Sequence, residues 1–137
     1  MNKIVMALLA VLVLVSVAPM AAADHDNDGR VFELRTYTTP DGKLPELLAR
    51  FRDHTNYIFV RHGMKLIGYW TPTDEGKDNT LVYILAHDSR EAAKKSWDGF
   101  REDADWKAAA AASRKNGRLV TKVVSQFLSP TDFSPIH

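Results

Sequence analysis

Leu81-Val82-Tyr83-Ile84-Leu85-Ala86 is the stretch on which the fold turns. It is apolar at odd and even positions alike, so a strand built from it carries apolar side chains on both faces. Such a strand belongs in the middle of a sheet. It opens at Thr80 after a polar loop, residues 72–78 with Gly76, and stops before Asp88.

Upstream of that loop, residues 65–71 read as a second strand with Leu66, Ile67, Tyr69 and Trp70. Earlier still the period changes. Leu44, Leu47, Leu48, Phe51, Thr55 and Ile58 recur at three- and four-residue steps, the signature of an amphipathic helix. Pro45 suits its first turn and Gly63 its end. At about 100° per residue, His54 falls at the edge of the apolar face, where a side chain looks into a gap between helix and sheet. Residues 31–38 alternate: Phe32, Leu34 and Thr36 point one way, Glu33, Arg35 and Tyr37 the other. That is a first strand, closed by the turn at residues 39–42.

Downstream, Asp88 with Glu91 three residues on reads as a helix N-terminal box, and Ala92, Ala93, Ser96, Trp97 and Phe100 form that helix's inner face. Asp103 or Asp105 caps a further helical piece that runs from Trp106 to about Arg114 and stops at Asn116-Gly117. Residues 119–128 make the last strand. The order β-α-β-β-α-β predicts an α+β, ferredoxin-like subunit: one antiparallel sheet with its helices on one face. The doubly apolar strand then needs cover on the other face. A second copy of the same sheet supplies it economically, so a homodimer is expected.

The chain opens with Lys3, an apolar stretch over residues 4–17, and Ala21-Ala22-Ala23 in an A-x-A order. This is the pattern of a secretory signal peptide, too short for a comfortable membrane span of about 20 apolar residues. Cleavage after Ala23, or alternatively after Ala22, leaves a mature chain expected in the periplasm or secreted, with no stable membrane anchor. The organisation expected is residues 1–23 signal peptide, 24–29 a disordered lead, 30–129 the folded domain and 130–137 a C-terminal tail. The full chain of 137 residues carries a formal charge of +1, and Lys3 is the one charge lost on cleavage. A neutral domain without a basic run gives no reason to expect nucleic acid as a partner. With no cysteine, stability rests on an apolar core and on oligomerisation.

Several segments, taken in order, resemble the NIPSNAP family. They are Glu33-Leu34-Arg35-Thr36-Tyr37, then Gly42-Lys43-Leu44, His54, His62-Gly63, Gly68-Tyr69-Trp70, Asn79 and Asp105-Trp106. The resemblance covers about residues 31–128. It implies a ferredoxin-like subunit of the dimeric α/β-barrel superfamily, whose sheet pairs with that of a second subunit. Relatives in that superfamily include cofactor-independent monooxygenases, lactone isomerases and haem-handling enzymes. The resemblance therefore implies a shape and leaves the chemistry open.

The residues that could carry chemistry are few. Arg35, Tyr37, His54, Trp70 and Tyr83 are the candidate ligand-binding residues, for a small apolar or aromatic ligand. His54 could serve as a general base or ligate haem iron, or be a half-buried histidine bonded to a strand. Glu33, Arg35 and Tyr37, if their face meets a partner sheet, are either a site for an acidic or phenolic ligand or a structural pair that fixes register. The segment 24–29 matches the first half of a calcium loop, but the twelfth position is Arg35 where a glutamate is needed. A mature start at Ala23 would place His25 third, a ligand set suited to Cu(II). No metal site, cofactor or assignable catalytic residue is implied: there is no Gly-rich phosphate loop, no G-x-S-x-G serine and no closely spaced histidine pair. The expectation is an exported dimeric binding module, with a cofactor-light monooxygenase or isomerase of an apolar aromatic or quinone-like compound as the alternative.

Overall fold

The computed structural model describes residues 29–137. The expected signal peptide, most of the lead, and the calcium and copper readings lie outside the described residues. Among the described residues, no helix is long and apolar enough to cross a membrane.

Strand β1 is Val31–Thr38. A continuous helical run follows, comprising α1 (Leu44–Arg50), a π-helical turn (Phe51–Thr55) and α2 (Asn56–Arg61). Strands β2 (Lys65–Trp70) and β3 (Thr80–His87) form a hairpin. Helices α3 (Arg90–Glu102) and α4 (Ala104–Ser113) lead to β4 (Lys122–Leu128). The sheet order is β2-β3-β1-β4 with every pair antiparallel. This is the ferredoxin-like arrangement, and the doubly apolar β3 is an interior strand.

The helices lie on the face that carries Leu81, Tyr83 and Leu85. There Leu47, Phe51, Ile58, Phe59, Met64 and Phe100 close an apolar core. Tyr83 and Leu85 are wholly buried in it. The opposite face is built from the alternate positions, in cross-strand rows set by register. One row is Trp70-Val82-Thr36-Val124 and the next is Gly68-Ile84-Leu34-Gln126. The C-terminal tail folds back over one end of this face, where Pro130 and Ile136 line a cavity of about 300 Å³ together with Phe32, Ile84 and Leu128.

Local chemistry explains where boundaries depart from the sequence reading. Ser89, not Asp88, caps α3, its hydroxyl accepting from the Ala92 amide at 3.0 Å. Asp88 pairs instead with Lys65 at 2.7 Å. Asp103 is the cap of α4 and accepts from the amides of Asp105 and Trp106. Strand β4 begins at Lys122 and not at residue 119, because Leu119 is buried in the core and is not in the ladder.

Candidate functional site

Alternation along β1 aims Glu33, Arg35 and Tyr37 at the helices, not at the outer face where a second sheet would dock. Glu33 is wholly buried and accepts four hydrogen bonds. They come from Trp97 Nε1 at 2.6 Å, Ser125 Oγ at 2.7 Å, His87 Nε2 at 3.0 Å and Arg35 Nη1 at 2.5 Å. Burial alone would raise this carboxyl's pKa. The hydrogen bonds from His87, Ser125, Trp97 and Arg35 outweigh it and bring the value down to about 2. Glu33 is therefore an anion with its lone pairs occupied, unfit to take a proton from a substrate. His87 must carry its proton on Nε2 to donate to a carboxylate. Its Nδ1 is buried and has no partner among the described residues.

Arg35 is fixed by this anion and turned toward the surface. Its guanidinium lies 4.3 Å above the Trp97 ring, and Nη2 donates to the Tyr37 hydroxyl at 3.2 Å. Tyr37 packs edge-on against Tyr83 at 5.4 Å, so Arg35, Tyr37 and Tyr83 form one constellation. Burial pushes the Tyr83 hydroxyl well above its ordinary pKa, which keeps it a neutral phenol.

Beside Arg35 a cleft of about 590 Å³ opens between α3 and the β4 edge of the sheet. Its walls are Trp97, Phe100, Trp106 and Phe127, and its charged residues are Arg35, Arg90, Lys94, Arg101 and Glu91. Arg35 is paired with Glu33, and Lys94 and Arg101 both pair with Asp98. Arg90 stacks over Phe127 at 3.5 Å. Aromatic walls with guanidinium groups fixed against them, Arg35 on Trp97 and Arg90 on Phe127, suit a flat ligand with an anionic group.

Two expected members are elsewhere. His54 is exposed on the helical run and does not look into the gap between helix and sheet. The cause is the π turn, in which the Asn56 amide bonds to the Phe51 carbonyl five residues back. Within this turn Thr55 is buried, its hydroxyl donating to the Arg50 carbonyl at 3.2 Å, while His54 is exposed. Trp70 is on the outer face, half exposed, with its ring laid over Gly68 so closely that a Cβ there would stand 2.5 Å from it. His62, at the end of the helical run, bonds Asp103 Oδ2 at 2.7 Å.

Arg90, Trp97, Ser125 and Phe127 were not singled out as site residues from the sequence. Arg90 and Trp97 are seven apart on one helix, two turns on the same side, and Ser125 and Phe127 alternate on one face of a strand. That spacing is the signal that could have joined them. Among the described residues, no three metal-binding side chains come together.

Comparison with known proteins follows the same outline. Protein NipSnap homolog 3B of Mus musculus is 28% identical over 92 residues, which is 65% of this chain and 35% of that protein. The chain thus spans about a third of that relative's length. A NIPSNAP family protein of unknown function from Agrobacterium tumefaciens superposes with a TM-score of 0.70 at 22% identity, covering 80% of this chain and 96% of the other. SnoaB, a cofactor-independent oxygenase from Streptomyces nogalater, shares the fold with a TM-score of 0.54 at 16% identity, covering 78% of this chain and 98% of its own. The NIPSNAP family model matches residues 32–135, which carry the sheet, the helices and every residue of the cleft, and the chain belongs to the NIPSNAP family.

Proposed function

We propose that this protein is an exported, homodimeric binding module whose cleft beside α3 takes a small flat aromatic acid. The observation that carries the reading is Arg35, a guanidinium fixed by Glu33 and stacked on Trp97 at the base of an aromatic, cation-lined cleft. A fixed cation beside aromatic walls orients a carboxylate while the rings take up the flat body.

Titration with 2-naphthoate tests this. Saturable binding that weakens with added salt is expected, and Arg90→Gln with Lys94→Gln should weaken it about tenfold without unfolding the domain. Salt-independent binding, or none, would overturn the reading. Export rests on the leader pattern of residues 1–23 and is tested by amino-terminal sequencing of protein from the periplasm or medium. A start at Asp24 or Ala23 is expected, and an intact Met1 in the membrane fraction would count against it.

The oxygenase or isomerase reading draws support from the fold shared with SnoaB. Against it, Glu33 is saturated with donors and His87 already gives Nε2–H to it. Oxygen uptake with a hydroquinone substrate, above that of a buffer blank, would favour the enzyme.

A further inference from the structure

The outer face of the sheet has two unlike ends. At one end the C-terminal tail stands over Phe32, Ile84 and Leu128 as a raised rim. The other end is bare, and carries the row Trp70-Val82-Thr36-Val124 and beyond it Thr80-Thr38-Lys122. The rim is held in shape by its own bonds. The Ser134 amide donates to the Thr131 carbonyl at 3.0 Å, Ser134 Oγ donates to the Ile136 carbonyl at 2.7 Å, and Arg30 Nη1 donates to the His137 main-chain oxygen. Phe133 lies within the turn at residues 131–134 and is 84% exposed, more than any other large apolar residue among the described residues. One exposed ring is ordinary. This one stands on the rim of a face whose bare row also exposes Trp70 by 51% and Val124 by 45%.

Two copies of one face pair about a two-fold axis that lies between them. With the axis along the strands, raised end meets raised end and the bare rows are held apart. With the axis across the strands, each tail lies over its partner's bare row and both ends close. Charge favours the second arrangement. Asp132 precedes Phe133 on the rim, and Lys122 lies one row beyond Val124 at the bare end. Both are exposed, and neither is in an ion pair among the described residues. We infer that the tail is a clamp on a second copy of this chain: Phe133 packs on the partner's bare row, and Asp132 pairs with the partner's Lys122. This arrangement rests on the homodimer proposed above, and adds its contact residues and the direction of its axis. Large aromatic side chains bury about 150–250 Å² each, so Phe133 and Trp70 at their exposures offer roughly 300 Å² together. A stable dimer buries about 800 Å² on each partner, and these two rings supply about a third of it.

The chain has no cysteine, so single-cysteine variants link only where a thiol is placed. Phe133→Cys and Val82→Cys proteins are mixed at micromolar concentration and treated with a short bismaleimide, and the linked pairs are identified by mass. The mixed pair is expected in excess of Phe133→Cys linked to itself. The reverse ratio would mean raised end on raised end, and overturns the crossed arrangement. Sedimentation equilibrium supplies the second measurement. Phe133→Ala should weaken the dimer about tenfold and leave the far-ultraviolet spectrum unchanged, because within its own chain the ring is in water. Asp132→Lys should also weaken the dimer, and adding Lys122→Asp to the same chain should restore it. A wild-type dimer that Phe133→Ala and Asp132→Lys leave equally tight would refute the clamp while the homodimer stands. A wild type that remains monomeric would remove the homodimer and the clamp together.

Discussion

Trp97 donates its indole N–H to Glu33 Oε2 at 2.6 Å and so joins α3 to β1 through a buried carboxylate. The same carboxylate holds Arg35, His87 and Ser125. One residue thus sets the distance of α3 from the sheet and the position of the cation at the cleft. Glu33 is a positioning residue, and its value lies in remaining charged.

That charge gives the first prediction. The Glu33 pKa falls from an ordinary 4.5 to about 2 on folding. A depressed carboxylate stabilises the folded state fully above its unfolded value, and the contribution is lost as pH falls through the folded one. Urea unfolding should show wild-type stability dropping between about pH 4.5 and 2. Glu33→Gln should lose about 3 kcal/mol at pH 7, since it leaves Arg35 without its buried anion. Its own pH curve should be flatter across that window. A variant curve parallel to wild type would show that Glu33 does not titrate as described.

Gly99, within α3, gives the second. A Cβ there would stand 2.7 Å from His62 Nδ1, and the imidazole cannot swing aside without losing its 2.7 Å bond to Asp103. Gly→Ala in a helix normally stabilises by about 1 kcal/mol. Here Gly99→Ala should instead destabilise, by about 1–3 kcal/mol from overpacking. In a His62→Ala background the sign should reverse to the ordinary helical gain. Chemical denaturation of the four proteins of this cycle checks it, and a stabilising Gly99→Ala in the wild-type background would refute the contact.

How far the sequence could be read depended on the kind of pattern. Periodicity carried the element order, because an apolar stripe or an alternating strand is a local record of burial. The interior place of β3 was legible for the same reason: it has no polar face. The pairing of Glu33 with Trp97 was not, since 64 residues separate them and nothing local in either predicts the other. His54 failed through geometry. An ideal helical wheel assumes 3.6 residues per turn, and a single π turn breaks the phase for the residues inside it.

From that correction follows a third prediction. With its ring in water on the helical surface, His54 should be replaceable: His54→Ala should change stability by under about 0.5 kcal/mol and leave 2-naphthoate binding as in wild type. Haem titration should give no Soret band that depends on it. Absorbance titration of the two proteins side by side decides this, and a stoichiometric band lost in the variant would restore His54 as an iron ligand.

The last prediction concerns the outer face of the sheet and distinguishes two neighbours in sequence. Val82 and Tyr83 are adjacent in β3, yet they point to opposite faces. Tyr83 is wholly buried against Phe51 and Phe59, so Tyr83→Asp should leave the domain unfolded. Val82 lies in the row Trp70-Val82-Thr36-Val124, beyond the end of the sheet where Pro130 and Ile136 fold back. Trp70 is 51% exposed and Val124 45% exposed in this row, an apolar surface on the face away from the helices. Covering it with the same face of a second copy recovers about 25 cal/mol per Å² of apolar area, before the costs of association. The wild type should therefore sediment as a dimer at micromolar concentration. Val82→Asp places a carboxylate in the middle of that surface and should give a folded monomer with a near-native far-ultraviolet spectrum, or insoluble protein. Sedimentation equilibrium with circular dichroism separates the cases. A soluble, well-folded wild-type monomer would mean that the tail and Trp70 suffice to shield the face, and the dimer would have to be given up.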